Sequence, residues 1–407
     1  MLYKRQGIDR NLVFLLIGLV LSFVSLAAPV QLHGHYITLF WSAEAVLLLW
    51  LSQKSGIKLM KLASIIVMTL MFFSLLMDWS RVYSLIEISG GGLKTLDIII
   101  NKGFMTGIVS VISLFLSVQL LKKEEEPLWG WFDMKIYKNV LAIMNIGVLY
   151  LVMFLELSFQ LDTRLGYDPA SDIIRGFYTL LFLTGLNIFV MRKNWPMVSL
   201  LVTLGNAIML LIYIFYYNYE AVLTRNDFLV GTHATQFNYM FHYFTALAAL
   251  ALLVSGFMHA KKVYGLLSEA GSLVLWFTSF IVVYIASEEL THATVMFNYK
   301  TNAFISESIQ QSVKIGYPIL WGICSFILMI LGMRLKMRHL RIISLSLFFI
   351  TLLKLCIYDI RDVSEGGKIA AFISLGVILL VVSFMYQKLK VLILADEDEK
   401  KKLKKDE

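Results

Sequence analysis

Three ionisable residues fall inside long apolar runs of this sequence: Glu44, Glu156 and Lys354. A charge in hydrocarbon is costly, so such residues are kept where they pair, reach water or bind something. The span assignment below puts all three in the outer half of a bilayer, and Lys354 is expected to pair with Glu44 or Glu156 across a helix interface. The plainer account of such a pair is an ion bridge that fixes packing. The sharper one is a polar cavity in which Glu44, Glu156 and Lys354 bind an anionic or zwitterionic substrate. Glu156 stands near enough to the surface for snorkelling to suffice.

A second set of carboxylates recurs where helices emerge on the outer side: Asp78, Asp162, Glu220, Glu288 with Glu289, and Asp359. Asp78, Glu288 and Asp359 are the outer-face candidates. An acidic rim attracts cations, yet a chain that keeps its basic residues on the other side acquires such a rim anyway. Four of the seven histidines, His33, His35, His233 and His292, also fall at the outer surface. Glu288 and Glu289 lie four and three residues before His292, close enough to share a helix face. A metal site needs more ligands than that, so neither metal nor cofactor is expected. His242 lies within a span and is expected to be hydrogen-bonded between helices. There is no phosphate-cradling glycine loop, no serine nucleophile elbow and no HExxH. No catalytic residue can be assigned, and soluble nucleotide chemistry is disfavoured.

The elements that must position these residues are membrane helices. Of 407 residues, 58% are hydrophobic and only 16% charged, the composition of a polytopic membrane protein. Span-length apolar windows fall at 11–29, 36–52, 60–77, 102–121, 138–159, 172–191, 195–216, 234–258, 267–287, 313–333, 340–358 and 369–387. The connectors between them alternate in charge. One set, with both termini, holds 25 of the 36 basic residues; the other holds ten, and Lys354 lies within a span. Lysine and arginine stay on the cytoplasmic side. The expected fold is therefore all-α, a polytopic bundle of about twelve transmembrane helices arranged as hairpins, N-in and C-in. Residues 1–394 form a single transmembrane domain and 395–407 a charged cytoplasmic tail. The net charge of +8 follows from this topology, with membrane lipids as the partner and no nucleic acid.

Lys4, Arg5 and Arg10 before the first apolar run resemble a secretory signal, but the run is long and further spans follow, so it reads as an uncleaved first span. The longest inner connector carries Trp129 and Trp131, which fit an interfacial anchor. Only the outer connectors 78–101, 217–233 and 288–312 have room for local structure. Gly90, Gly91 and Gly92 break the first of them. In the last, Phe304, Ile305, Ile309 and Val313 form the stripe of a short interfacial helix, or the segment is a loop. Cys324 and Cys356 lie at different depths within spans and read as packing residues. Trp41 to Leu75 aligns without gaps onto Trp321 to Leu355, pairing Lys54, Lys58 and Lys61 with Arg334, Arg338 and Arg341, and Ser64 with Ser344. Chance matching of apolar helices is the alternative; if real, the repeat is parallel, unlike the inverted repeats common in transporters.

One family resemblance rests on particular residues. Tyr317-Pro-Ile-Leu-Trp321-Gly, Leu331-Gly-Met, Leu340-Arg-Ile-Ile-Ser, Leu352-Leu-Lys354-Leu-Cys-Ile-Tyr-Asp359 and Ala371-Phe-Ile-Ser-Leu-Gly376 through Lys388 resemble the bacterial multipass membrane proteins grouped as domain of unknown function 2339. Trp41 to Glu44, Leu47 to Trp50 and Asn101-Lys-Gly-Phe104 are similar to it too. The resemblance implies an integral protein of a bacterial inner membrane and carries over no site residue. The expected function is transport or flipping of a small or lipid-linked substrate. The alternatives are an enzyme acting on a lipid-linked substrate at the outer face, with Asp78, Glu87 or Glu288 as base, and a non-catalytic scaffold. A non-enzyme is favoured.

Overall fold

The computed structural model describes residues 30–84, 87–88, 92–93, 95–123, 133–166, 168–193, 195–232, 235–266, 268–299 and 303–355, with isolated helical positions between 13 and 27 and between 369 and 380. It divides into two compact units, Met1–Tyr167 and Asp168–Glu407. The first holds α1 (His35–Ser55), α2 (Lys58–Val82), the two-residue strands β1 (Glu87–Ile88) and β2 (Gly92–Leu93), α3 (Lys102–Leu120) and α4 (Met134–Leu165). The second holds α5 (Pro169–Lys193), α6 (Pro196–Ile212), α7 (Asn218–Val230), α8 (Gln236–Tyr264), α9 (Glu269–Asn298), α10 (Ala303–Gln311), α11 (Tyr317–Arg334) and α12 (Arg338–Lys354).

Helix ends follow their sequence signals. Asn101, Thr235 and Ser268 cap α3, α8 and α9 by accepting a hydrogen bond from the amide three residues on, satisfying a donor that the helix cannot. Pro196 opens α6, and Gly56 and Gly231 close α1 and α7 in the left-handed region, where a side chain would clash. Between Pro196 and Gly231 no proline and a single glycine, Gly205, interrupt the chain. The helix accordingly runs unbroken through a π turn at Tyr213–Tyr217.

Among the described residues nine helical stretches are long and apolar enough to cross a membrane. The expected spans 11–29 and 369–387 lie largely outside the described residues; 340–358 corresponds to α12, described as far as Lys354. The outer connectors differ from expectation. Residues 217–230 are α7, and Val198–Val230 is one helix of 33 residues, about 50 Å at 1.5 Å per residue. Residues 288–298 extend α9, while α10 runs through a second π turn, Ser312–Gly316, into α11. The segment 303–311 is thus a helix continuous with its successor. Its apolar stripe reads equally well as the flank of a longer helix, which is why the window around it was cut short. The glycine-broken connector forms the β1–β2 pair, with Glu87 opposite Leu93 and Ile88 opposite Gly92.

Burial is arranged for an apolar solvent. Leu47, Phe73, Phe115, Leu201, Phe215, Leu247, Leu273 and Phe349 are exposed, while Thr38, Ser110, Ser117, Asn187, Thr224 and Arg225 are buried. A water-soluble domain does not display so much continuous apolar surface. The chain is a helical membrane protein.

The internal repeat has a structural counterpart. The hairpins α1–α2 and α11–α12 carry the same interhelical hydrogen bond at aligned positions: Ser64 Oγ donates to Ala45 O at 2.7 Å, and Ser344 Oγ to Ser325 O at 2.7 Å. Their turns match too. Gly56 has φ 74°, and its aligned residue Lys336 has φ 53°. Lysine tolerates this region only at a cost of about 1 kcal/mol. Gly56→Lys should therefore lower stability by about 1 kcal/mol, and Lys336→Gly should raise it by less than that, because glycine also gains freedom in the unfolded chain. Denaturant unfolding in mixed micelles measures both; shifts of the opposite sign would contradict the shared turn.

Candidate functional site

In the first unit the sequence-selected carboxylates occupy separate surroundings. Glu156, on α4, accepts four hydrogen bonds: from Tyr83 Oη (3.0 Å) and Asn101 Nδ2 (2.7 Å) on one oxygen, and from Ile99 N (3.1 Å) and Gln160 Nε2 (2.9 Å) on the other. It is only 5% exposed, so neutral donors rather than snorkelling solvate it. It ties the segment before α3 to α4. Asp78, on α2, accepts from Thr38 Oγ1, which also meets Ser74 Oγ at 2.7 Å. Glu44 is equally buried; among the described residues neither of its oxygens has a partner within 3.5 Å, and the Ser25 hydroxyl is a polar group near enough to interact with it. Glu156→Gln would leave donors facing an amide NH₂ and should cost about 2–3 kcal/mol. Hydrogen exchange at the Ile99 amide should quicken more than at the α4 core; unchanged protection there would contradict the anchoring role.

Lys354 belongs to the second unit, and its Nζ donates to Val313 O at 2.5 Å. The reason lies in the π turn. Tyr317 N–H reaches back to Ser312 O, so Val313 O loses the amide that an α-helix would supply. The other π turn repeats the arrangement: Asn218 N–H bonds Tyr213 O, and Ile214 O instead accepts from Tyr284 Oη at 3.4 Å. In an apolar solvent such carbonyls need outside donors.

A cavity of about 360 Å³ lies between α9, α11 and α12, and Tyr284, the donor to Ile214 O, lines it. Trp276, Phe280, Val283, Tyr284, Ser287 and Glu288 present one stripe of α9 to it, at spacings of three and four. Trp321, Leu328, Leu347 and Ile350 face them. The lining is mostly apolar, with Ser279 and Ser346 partway along it and Ser287 and Glu288 at one end. There Trp321 Nε1 donates to Ser287 Oγ at 2.9 Å, and Tyr317 Oη meets Thr291 Oγ1 at 3.0 Å. Asp359 and Cys356 lie outside the described residues, as does His233, and the side chain of Glu87 is likewise not described.

Beside Glu288, on the adjoining face of α9, sits a buried polar cluster. Arg225, on α7, is 0% exposed. Its Nε and Nη2 donate to Asn226 Oδ1 at 3.2 and 3.0 Å, and its Nη1 lies 3.3 Å from His292 Nδ1. Among the described residues no carboxylate pairs with it directly, but Glu288 lies within electrostatic reach. His292 and His242 pack with ring centroids 4.8 Å apart and their planes tilted by 33°. His242 Nδ1 meets Tyr239 O of its own helix at 2.6 Å, and its Nε2 lies 3.7 Å from Glu289 Oε2. Its hydrogen bond is thus within α8, and what crosses to α9 is the ring contact. No group of three or more potential metal ligands is gathered among the described residues.

Counting both glutamates as ionised, the cluster holds one positive charge against two negative. An anion brought to about 5 Å of Glu288 would be repelled by roughly 3 kcal/mol at an effective dielectric constant of about 20. The arrangement therefore suits an apolar chain with a neutral or cationic head. Sequence reasoning passed over Arg225 because it stood in an apparent connector. The signal was the unbroken run from Pro196 to Gly231.

A family model described as "Predicted membrane protein (DUF2339)" matches residues 2–389. No curated protein and no solved structure matches the chain.

Proposed function

The chain belongs to this family of predicted membrane proteins, and from that footing we propose that it binds a lipid-linked substrate at the outer face of a bacterial inner membrane. The observation that carries the reading is the cavity between α9, α11 and α12. Its lining is mostly apolar, broken by Ser279 and Ser346, and carries a carboxylate only at the Glu288 end. A methylene group is about the size of a water molecule, roughly 30 Å³, so about a dozen chain carbons fill it. Aromatic walls with few polar groups at one end are what amphiphile pockets use.

The orientation follows from charge. Arg192, Lys193, Lys261, Lys262, Arg334 and Arg338 stand at one end of the second unit's helices, and Glu288, His242 and Arg225 near the other. With N-in, C-in threading through twelve spans, the basic end is cytoplasmic and the cavity's polar end faces outward. This favours action on, or hand-over of, a lipid-linked substrate at that face above translocation through a path lined by Glu44, Glu156 and Lys354. Four neutral donors already occupy Glu156. Glu288 is the carboxylate placed to meet the head of the substrate and to act on it as a base. Translocation remains the second reading, supported by Glu44, whose carboxylate is buried beside the Ser25 hydroxyl.

Two measurements test this. Ser346→Trp projects an indole into the cavity and should abolish retention of a single-chain amphiphile, read by native mass spectrometry of protein extracted from membranes; equal retention by the variant would refute the site. Asp227→Cys should react with a membrane-impermeant maleimide in intact cells, whereas Lys261→Cys should react only after permeabilisation. The reverse pattern would invert the threading.

A further inference from the structure

We infer that His242, His292 and Glu289 bind a hydroxyl group, so that the lipid-linked substrate carries a neutral, hydroxyl-bearing head such as a sugar. This deepens the preceding reading and rests on it. The argument is one of donors and acceptors. A guanidinium only donates, so His292 Nδ1, 3.3 Å from Arg225 Nη1, is the acceptor and His292 Nε2 carries the hydrogen. A carbonyl only accepts, so His242 Nδ1, 2.6 Å from Tyr239 O, carries its hydrogen and His242 Nε2 presents a lone pair. Two neighbouring imidazoles are thereby held in opposite tautomers.

Both Nε2 atoms are buried and have no hydrogen-bond partner among the described residues. His292 is 1% exposed and His242 4%. Glu289 Oε2 stands 3.7 Å from His242 Nε2, too far for a direct bond and near enough for one donor to serve both. The cluster thus offers one N–H and two acceptors. A hydroxyl accepts from His292 and donates to His242 or Glu289. A phosphate dianion has no hydrogen for them, and a quaternary ammonium has no acceptor for His292. The excess of carboxylate over guanidinium in the cluster turns away the phosphate a second time. Access is from the side of Glu289, whose side chain is 31% exposed, and the cluster adjoins Glu288 at the polar end of the cavity.

The test uses the full chain in nanodiscs and three probes of equal chain length: dodecyl maltoside, dodecyl phosphate and dodecyl trimethylammonium. Binding is read by fluorescence of Trp276 and Trp321, which line the cavity. The maltoside should bind about tenfold more tightly than the other two, because a site built to bond hydroxyls rejects heads without them. His292→Phe and the milder Glu289→Gln should erase that preference while leaving chain binding in place. Equal binding of all three probes, the outcome if the histidines hold only a structural water, would overturn the inference and leave the chain-binding reading standing. Tighter binding of the phosphate would overturn it in favour of an anionic head. Failure of every probe to bind would instead remove the underlying reading, and the inference with it.

Discussion

A backbone carbonyl that loses its amide inside lipid has to find another donor, and two such carbonyls shape the second unit. Ile214 O is taken by Tyr284 and Val313 O by Lys354. Each π turn inserts a residue, which rotates everything beyond it by about 100° around the helix axis. That rotation sets which face of α11 brings Tyr317 and Trp321 to the cavity and which face of α7 buries Arg225. One of the two donors, Tyr284, also lines the cavity, and the other, Lys354, stands at the end of α12, whose Ile343, Leu347 and Ile350 line it.

The first unit solves the same solvent problem differently. Its buried carboxylate Glu156 is neutralised by geometry, with four donors and no cation among them, and its hairpin α1–α2 is closed by a glycine where α11–α12 uses Lys336. The recurrence of the serine-to-carbonyl bond in both hairpins shows that their register is shared, down to the turn. What differs is the neighbour. Trp321 donates to Ser287, whereas Trp41 Nε1, its aligned partner, has no hydrogen-bond partner among the described residues. The two hairpins share a scaffold and have diverged where they meet other helices.

Much of this was legible in the sequence, and for identifiable reasons. Helix placement follows from the length of apolar runs, and the repeat from Trp41, Ser64 and the basic residues that align with their counterparts. Helix ends in the connectors 217–233 and 288–312 differ from the sequence expectation. Hydropathy falls at Glu220, Arg225 and Glu288, while the backbone continues until a true stop such as Gly231. The π turn at Tyr213–Tyr217 left no trace, since nothing there forbids an α-helix, whereas the one at Ser312–Gly316 is followed by Pro318, which has no N–H and crowds the carbonyl four residues back. The sequence suggests a carboxylate partner for Lys354; the bond described is to a main-chain oxygen, Val313 O. His242 and His292 were each noticed singly. Their meeting depends on the packing of α8 against α9, which no spacing within one helix encodes.

The central claim is that the apolar cavity beside Glu288 holds the chain of a lipid. A density map of the full protein in nanodiscs made from native lipid extract tests it most directly. The account predicts one elongated density between Trp276, Phe280, Trp321 and Leu347, ending at Glu288. A cavity collapsed by side-chain movement, or filled by ordered water along its length, would contradict it.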